Sequence, residues 1–74
     1  LSEEVYREAW DALRPLGRLV ANAVTLESEA LLSDLHHRHG GDLVRLQVHR
    51  AEPVGSFRGW RPAMPVTQWS RIKR

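Results

Sequence analysis

The stretch that decides the fold runs from Thr25 to Arg50 and reads TLESEALLSDLHHRHGGDLVRLQVHR. Thr25 is a typical helix N-cap, and acidic residues follow it in the first turn. Arginine and histidine side chains occupy the last turn, which is the charge order that a helix dipole favours. Gly40-Gly41 is a typical helix end. The strict apolar–polar alternation over residues 43–50 then predicts a strand with one buried face.

A second helix is predicted at the start of the chain. Ser2 caps it, and Glu3 and Glu4 lie at the positive end of its dipole. Apolar side chains recur at three- and four-residue spacing, which places them on one face: Val5, Tyr6, Ala9, Trp10 and Leu13. Pro15 ends this helix or begins the next.

Residues 16–24 repeat the helical spacing and favour a further short helix. Leu19 to Val24 also fits a brief buried strand, because a short apolar run does not distinguish the two. Downstream, Ala51 to Gly59 contains Pro53 and two glycines, which predicts a turn or loop. Trp60 to Ser70 is predicted to return as a second strand, confined to an edge or a bulge by its two prolines.

These elements predict an α+β fold: two or three N-terminal helices followed by a C-terminal β-hairpin-like unit. The order resembles that of a winged helix-turn-helix domain, and the resemblance is one of element order alone. The 74 residues predict one small domain, with an acidic helical half (1–41) and a basic strand-and-turn half (42–74).

The two ends of the chain carry opposite charge. Residues 1–44 contain four arginines against eight acidic residues, a net charge of −4, and residues 45–74 contain seven basic residues against one glutamate, a net charge of +6. Aromatic side chains lie among these arginines, and both residue types bind anionic or flat surfaces. We predict that the partner-binding residues are Arg45, Arg50, Arg58, Trp60, Arg61 and Trp69.

A packed core is the alternative role for the tryptophans, since indole rings bury a large area. DNA is disfavoured as the partner of a winged helix, because Glu27, Glu29 and Asp34 would meet the phosphates. Nucleic-acid binding through the basic strands stays the second hypothesis.

Catalytic and metal sites are not predicted. The serine of Gly55-Ser56-Phe57-Arg58-Gly59 does not fit a nucleophile elbow, and no glycine-rich phosphate loop is present. His36 and His39 share a helical face but match no strong zinc pattern, and the chain has no cysteine. We therefore predict no catalytic residue, no metal, no cofactor and no small-molecule substrate.

The leading functional hypothesis is a non-catalytic protein-binding module or small accessory subunit. It would engage a protein partner, or a second copy of itself as a homo-oligomer, through its basic aromatic half. The absence of a long apolar run and of a signal-peptide pattern predicts no membrane association and a cytoplasmic location.

Overall fold

The computed structural model describes all 74 residues as two helices and five strands. Helix α1 spans Glu3–Ala12, strand β1 Arg18–Ala23 and helix α2 Leu26–His39. The remaining strands are β2 Asp42–Leu46, β3 His49–Val54, β4 Phe57–Pro62 and β5 Val66–Ile72.

Both helices begin where the sequence predicts. The Ser2 hydroxyl accepts a hydrogen bond from the Val5 amide at 3.2 Å, and the Thr25 hydroxyl accepts one from the Ser28 amide at 3.1 Å. Each cap satisfies an amide that has no partner within its helix. Helix α2 ends at Gly40, whose φ of 77° lies in the left-handed region that glycine tolerates.

Strand β5 forms the centre of a three-stranded sheet with the order β1-β5-β2. It pairs antiparallel with both neighbours, with Trp69 opposite Ala21 on one side and opposite Leu43 on the other. Strands β1 and β2 therefore run in the same direction, and α2 connects them. This strand–helix–strand crossover is the basic unit of α/β folds.

The core lies between this sheet and the two helices. Trp69 is its largest fully buried side chain, and Leu32 and Leu35 of α2 pack on the same face of the sheet. Tyr6 of α1 closes the core, with its ring centroid 5.4 Å from that of Trp69. The opposite face of the sheet carries no helix and leaves apolar side chains half exposed.

Strands β3 and β4 form a separate antiparallel hairpin, with Val54 opposite Phe57 at its turn. It packs extensively against no other element, and nearly all of its side chains are exposed. The molecule is consequently elongated, with extents of 54 × 24 × 17 Å.

The predicted fold class is wrong in several elements, and the structure is not a winged helix. Residues 16–24 contain strand β1 instead of a helix: Leu19, Ala21 and Ala23 face the helices, which produces a two-residue period. The predicted loop over 51–59 lies within the β3–β4 hairpin. Pro53 is tolerated there because both strands of a two-stranded sheet are edges.

Neither helix is long and apolar enough to cross a membrane.

Candidate active-site edge

The carboxyl ends of β1 and β2 lie at the same edge of the three-stranded sheet, because the two strands run in the same direction. The amino end of β5 and the start of α2 reach this edge as well. In open α/β sheets, ligands bind outside the carboxyl ends of parallel strands. We call this region the polar edge, and its side chains are Asn22, Glu29, Arg45, Thr67 and Gln68.

Glu29 is the central group of the polar edge. Its carboxylate accepts a hydrogen bond from the Arg45 guanidinium and another from the Thr67 hydroxyl, the latter at 2.9 Å. The three groups come from α2, β2 and β5, and Thr67 is only 3% exposed. Because a carboxylate shared by two donors has little rotational freedom, Glu29 joins the helix to two strands at this edge.

The other face of the same edge carries an amide pair. Gln68 Nε2 donates to Asn22 Oδ1 at 3.0 Å across the β5–β1 pairing. Both side chains retain further donors and acceptors for a bound molecule.

A shallow cavity of about 260 Å³ lies beside Glu29, Arg45 and Thr67. This volume is below the ~300–1,000 Å³ that small-molecule sites usually enclose. The cavity is therefore too small to enclose such a molecule by itself. The carboxylate, guanidinium and hydroxyl groups beside the cavity can orient a polar molecule by hydrogen bonds.

The six predicted partner-binding residues do not form one surface. Trp69 is 0% exposed, and its indole Nε1 donates to the Gly40 carbonyl at 2.8 Å, so it belongs to the core. Arg45 lies at the polar edge and is paired with Glu29. The hairpin carries the others, Arg50, Arg58, Trp60 and Arg61, of which only Arg61 has a carboxylate partner, Glu52 at 3.4 Å. Their role in partner binding stays a prediction.

The sequence alone does not indicate two sets of residues of functional interest, those of the polar edge and the Arg71–Trp10 contact. Thr67 and Gln68 follow Pro65, and the prolines obscure the start of the strand in this stretch. Glu29 is interpreted only as a helix-dipole residue and as a group that repels phosphates. Arg71 lies with its guanidinium carbon 3.9 Å from the centroid of the Trp10 ring. These positions are 61 residues apart in the chain, and no local pattern joins them. No three His, Asp or Glu side chains lie close enough to hold a metal ion.

The crossover brings polar side chains to one edge of the sheet, and comparison with known proteins identifies the family. The precorrin methyltransferase domain family matches residues 1–73. The chain belongs to this family.

Three relatives are close. The chain is 56% identical over 69 residues to a precorrin-6Y C(5,15)-methyltransferase (decarboxylating) of Sinorhizobium sp, covering 93% of this chain and 17% of that protein. It is 58% identical over 64 residues to the enzyme of the same name from Mycobacterium tuberculosis, covering 86% of this chain and 16% of that protein. The crystal structure of the C-terminal domain of precorrin-6Y C5,15-methyltransferase from Rhodobacter capsulatus superposes with a TM-score of 0.87 at 51% identity, over 99% of this chain and 40% of that one.

The family membership corrects the functional predictions. The hypothesis of a non-catalytic binding module or accessory subunit is wrong, and so is the prediction that the chain is no part of an enzyme. The family is the precorrin methyltransferase domain, and the relatives are named as methyltransferases. Nucleic-acid binding is likewise contradicted. The relatives are named for a small molecule, a precorrin, which overturns the expectation of a protein partner or homo-oligomer with no small-molecule substrate. The chain spans about one-sixth of the length of these curated relatives.

Proposed function

We propose that this chain is part of an enzyme that transfers methyl groups to a precorrin, and that its polar edge forms one wall of the substrate site. The family match over residues 1–73 is the observation that carries the proposal. The position of Glu29, Arg45 and Thr67 at the carboxyl ends of the parallel strands supports the second part.

The methyl donor of such an enzyme is S-adenosylmethionine, and the residues of this chain do not fit its binding site. Nucleotide-type cofactors in α/β sheets sit on a glycine-rich turn between a strand and a helix. Here the only turn of that kind, between β1 and α2, is Val24-Thr25, and the Thr25 hydroxyl is occupied by the Ser28 amide. We propose that the part of the protein outside residues 1–74 binds the donor.

The single small domain over residues 1–74, with an acidic helical half and a basic half, stays a prediction. The chain covers 40% of the Rhodobacter capsulatus domain structure, so we propose that residues 1–74 complete a larger domain. The cytoplasmic location stays a prediction.

Methyl transfer by the full-length protein that contains this chain tests the proposal. We expect the purified protein to methylate precorrin-6Y in the presence of S-adenosylmethionine, which mass spectrometry of the product detects. Failure to methylate any precorrin would contradict the proposed activity.

The Glu29→Gln variant tests the polar edge separately. Loss of the carboxylate frees Arg45 and Thr67, and we expect kcat/KM to fall about 10-fold or more, because small misplacements of positioning groups cost that much. Glu27→Gln is the matched control, since Glu27 lies on the same helical turn and makes no ion pair. Equal kcat/KM values for the two variants would show that the polar edge is not part of the site.

A further inference from the structure

A second concave region lies at the opposite end of the three-stranded sheet from the polar edge. It is a cleft of about 650 Å³ at the amino ends of β1 and β2 and the carboxyl end of β5. We call it the amino-end cleft. Its volume falls within the range of ordinary small-molecule sites.

The walls of the cleft carry an excess of positive charge. Arg18, Arg71 and Arg74 line it, and Asp42 is the only carboxylate among the lining side chains. No ion pair within 4.0 Å joins any of these three arginines to an acidic side chain, although Arg7, Arg38, Arg45 and Arg61 all have such pairs. Like charges in one cleft repel each other and attract an anion.

Neutral groups hold the cationic side chains in place. Arg71 Nη1 donates to the Tyr6 hydroxyl at 2.7 Å while its guanidinium stacks on the Trp10 ring. Arg18 Nη2 donates to the hydroxyl of Ser70, a residue that is 7% exposed, over a long 3.4 Å. A guanidinium has five N–H donors, and each of these contacts uses one of them. The remaining donors of both side chains are free for a ligand.

The lining chemistry decides the class of ligand. Guanidinium groups bind carboxylate and phosphate oxygens in bidentate fashion, and three of them around one cleft match a molecule with more than one such group. We propose that the amino-end cleft binds a small polyanion, a molecule that carries two or more carboxylate or phosphate groups.

This site is distinct from the polar edge. Thr67 and Arg71 lie four residues apart on the same strand, which corresponds to roughly 13 Å. The inference therefore goes beyond the proposed function and does not rest on it.

Isothermal titration calorimetry of the full-length protein with citrate and with pyrophosphate tests the proposal. We expect one-site binding of at least one of the two. Tighter binding of citrate would assign the site to carboxylates, and tighter binding of pyrophosphate would assign it to phosphates. The absence of binding by both anions would overturn the proposal.

Two variants with equal charge localise the binding. Arg18→Gln/Arg74→Gln removes two cleft arginines and retains the Arg71–Trp10 contact, and we expect Kd to rise about 10-fold or more, since each charge-assisted hydrogen bond contributes that order. Arg7→Gln/Arg14→Gln removes two arginines outside the cleft and should leave Kd within about twofold. Equal weakening of binding by the two double variants would overturn the proposal, because it would show a general effect of net charge.

A third variant keeps the test independent of folding. Asp42→Asn removes the single carboxylate of the cleft and with it a repulsion of the ligand. We expect the affinity to increase, by up to roughly threefold for each unit charge of the ligand, as Coulomb's law gives for two unit charges about 7 Å apart in water. A loss of structure cannot produce tighter binding, so unchanged or weaker binding by a folded Asp42→Asn variant would count against the cleft.

Discussion

At the scale of single residues, Gly41 is the position with the least freedom. Its φ is 89°, and a Cβ atom built there would lie 2.3 Å from the Ser70 carbonyl oxygen of the neighbouring strand. Strand β2 can therefore pair with β5 only if residue 41 has no side chain. Gly40 has a similar φ of 77°, but no atom lies within 4 Å of its would-be Cβ.

The two glycines form a matched pair for a stability measurement. Gly40→Ala adds only backbone strain, about 2 kcal/mol, because its backbone conformation is one that essentially only glycine adopts. Gly41→Ala adds the same strain and a collision with backbone, so we expect a total loss of about 3–4 kcal/mol. Chemical denaturation of the protein that contains this chain measures both values. Similar losses of stability for the two variants would show that residue 41 accommodates a side chain despite the close approach of β2 and β5.

Trp69 shows how one residue joins the elements of the core. Its ring is fully buried between the sheet and the helices, and its only polar atom is satisfied by the Gly40 carbonyl at the end of α2. The hydrogen bond thus places the start of β2 beside β5, while the ring supplies apolar contacts to α1 and α2.

At the scale of elements, an ion-pair cluster fastens α1 to α2. Both terminal nitrogens of Arg38 donate to the Glu3 carboxylate, at 2.9 and 2.8 Å, and Arg38 Nε donates to Asp34 at 2.9 Å. These hydrogen bonds hold the pKa of Glu3 below its ordinary value of 4.5 and raise the pKa of Arg38. The cluster links residues 35 positions apart and orients α1 across the core.

This cluster predicts a pH-dependent contribution to stability. The pKa of Glu3 is lower in the folded state, so its contribution is complete above pH 4.5 and disappears as the pH falls through the folded value. We expect Glu3→Gln to be less stable than the native protein at pH 6, and we expect the difference in stability to be smaller at pH 3, below the ordinary pKa of 4.5. Urea denaturation at both pH values measures this difference. Glu4→Gln, in the same turn without an ion pair, is the control, and a pH-independent difference for Glu3→Gln would contradict the pairing.

Local signals in the sequence predict the helices well and the sheet poorly. The caps at Ser2 and Thr25 and the stop at Gly40 act within a few residues, so they are visible in the sequence. Strand β1 depends on pairing with β5, about 50 residues away. Its short apolar run fits both the spacing of a helix and the alternation of a strand. The separation of the hairpin from the three-stranded sheet also depends on pairing partners that no local pattern specifies.

The candidate site was harder to predict than the elements. Arg45 was selected for its charge, but its actual partner is Glu29, which sequence analysis had assigned to the dipole of α2. The charge split between the two ends of the chain is thus partly neutralised inside the molecule. Arg18 and Arg71, which have no carboxylate partner, lie at the same end of the sheet because β1 pairs with β5, and the sequence does not predict that pairing.

At the scale of the whole molecule, the uncovered face of the three-stranded sheet indicates a missing layer. Val20, Val44 and Leu46 lie on this face and are 44–50% exposed. Contiguous exposed apolar side chains mark an interaction surface, and the chain covers only 40% of the related domain structure. We therefore expect another part of the full-length protein to pack on this face.

The Val44→Asp variant of the full-length protein tests that expectation. If the face is covered, a charge at residue 44 is buried without a partner, and we expect a loss of about 3 kcal/mol or more. Ala30→Asp is the control, because Ala30 is exposed on α2, and it should cost no more than about 1 kcal/mol. Thermal and chemical unfolding measure both. A loss for Val44→Asp as small as that of the control would mean that this face remains open to solvent in the complete protein.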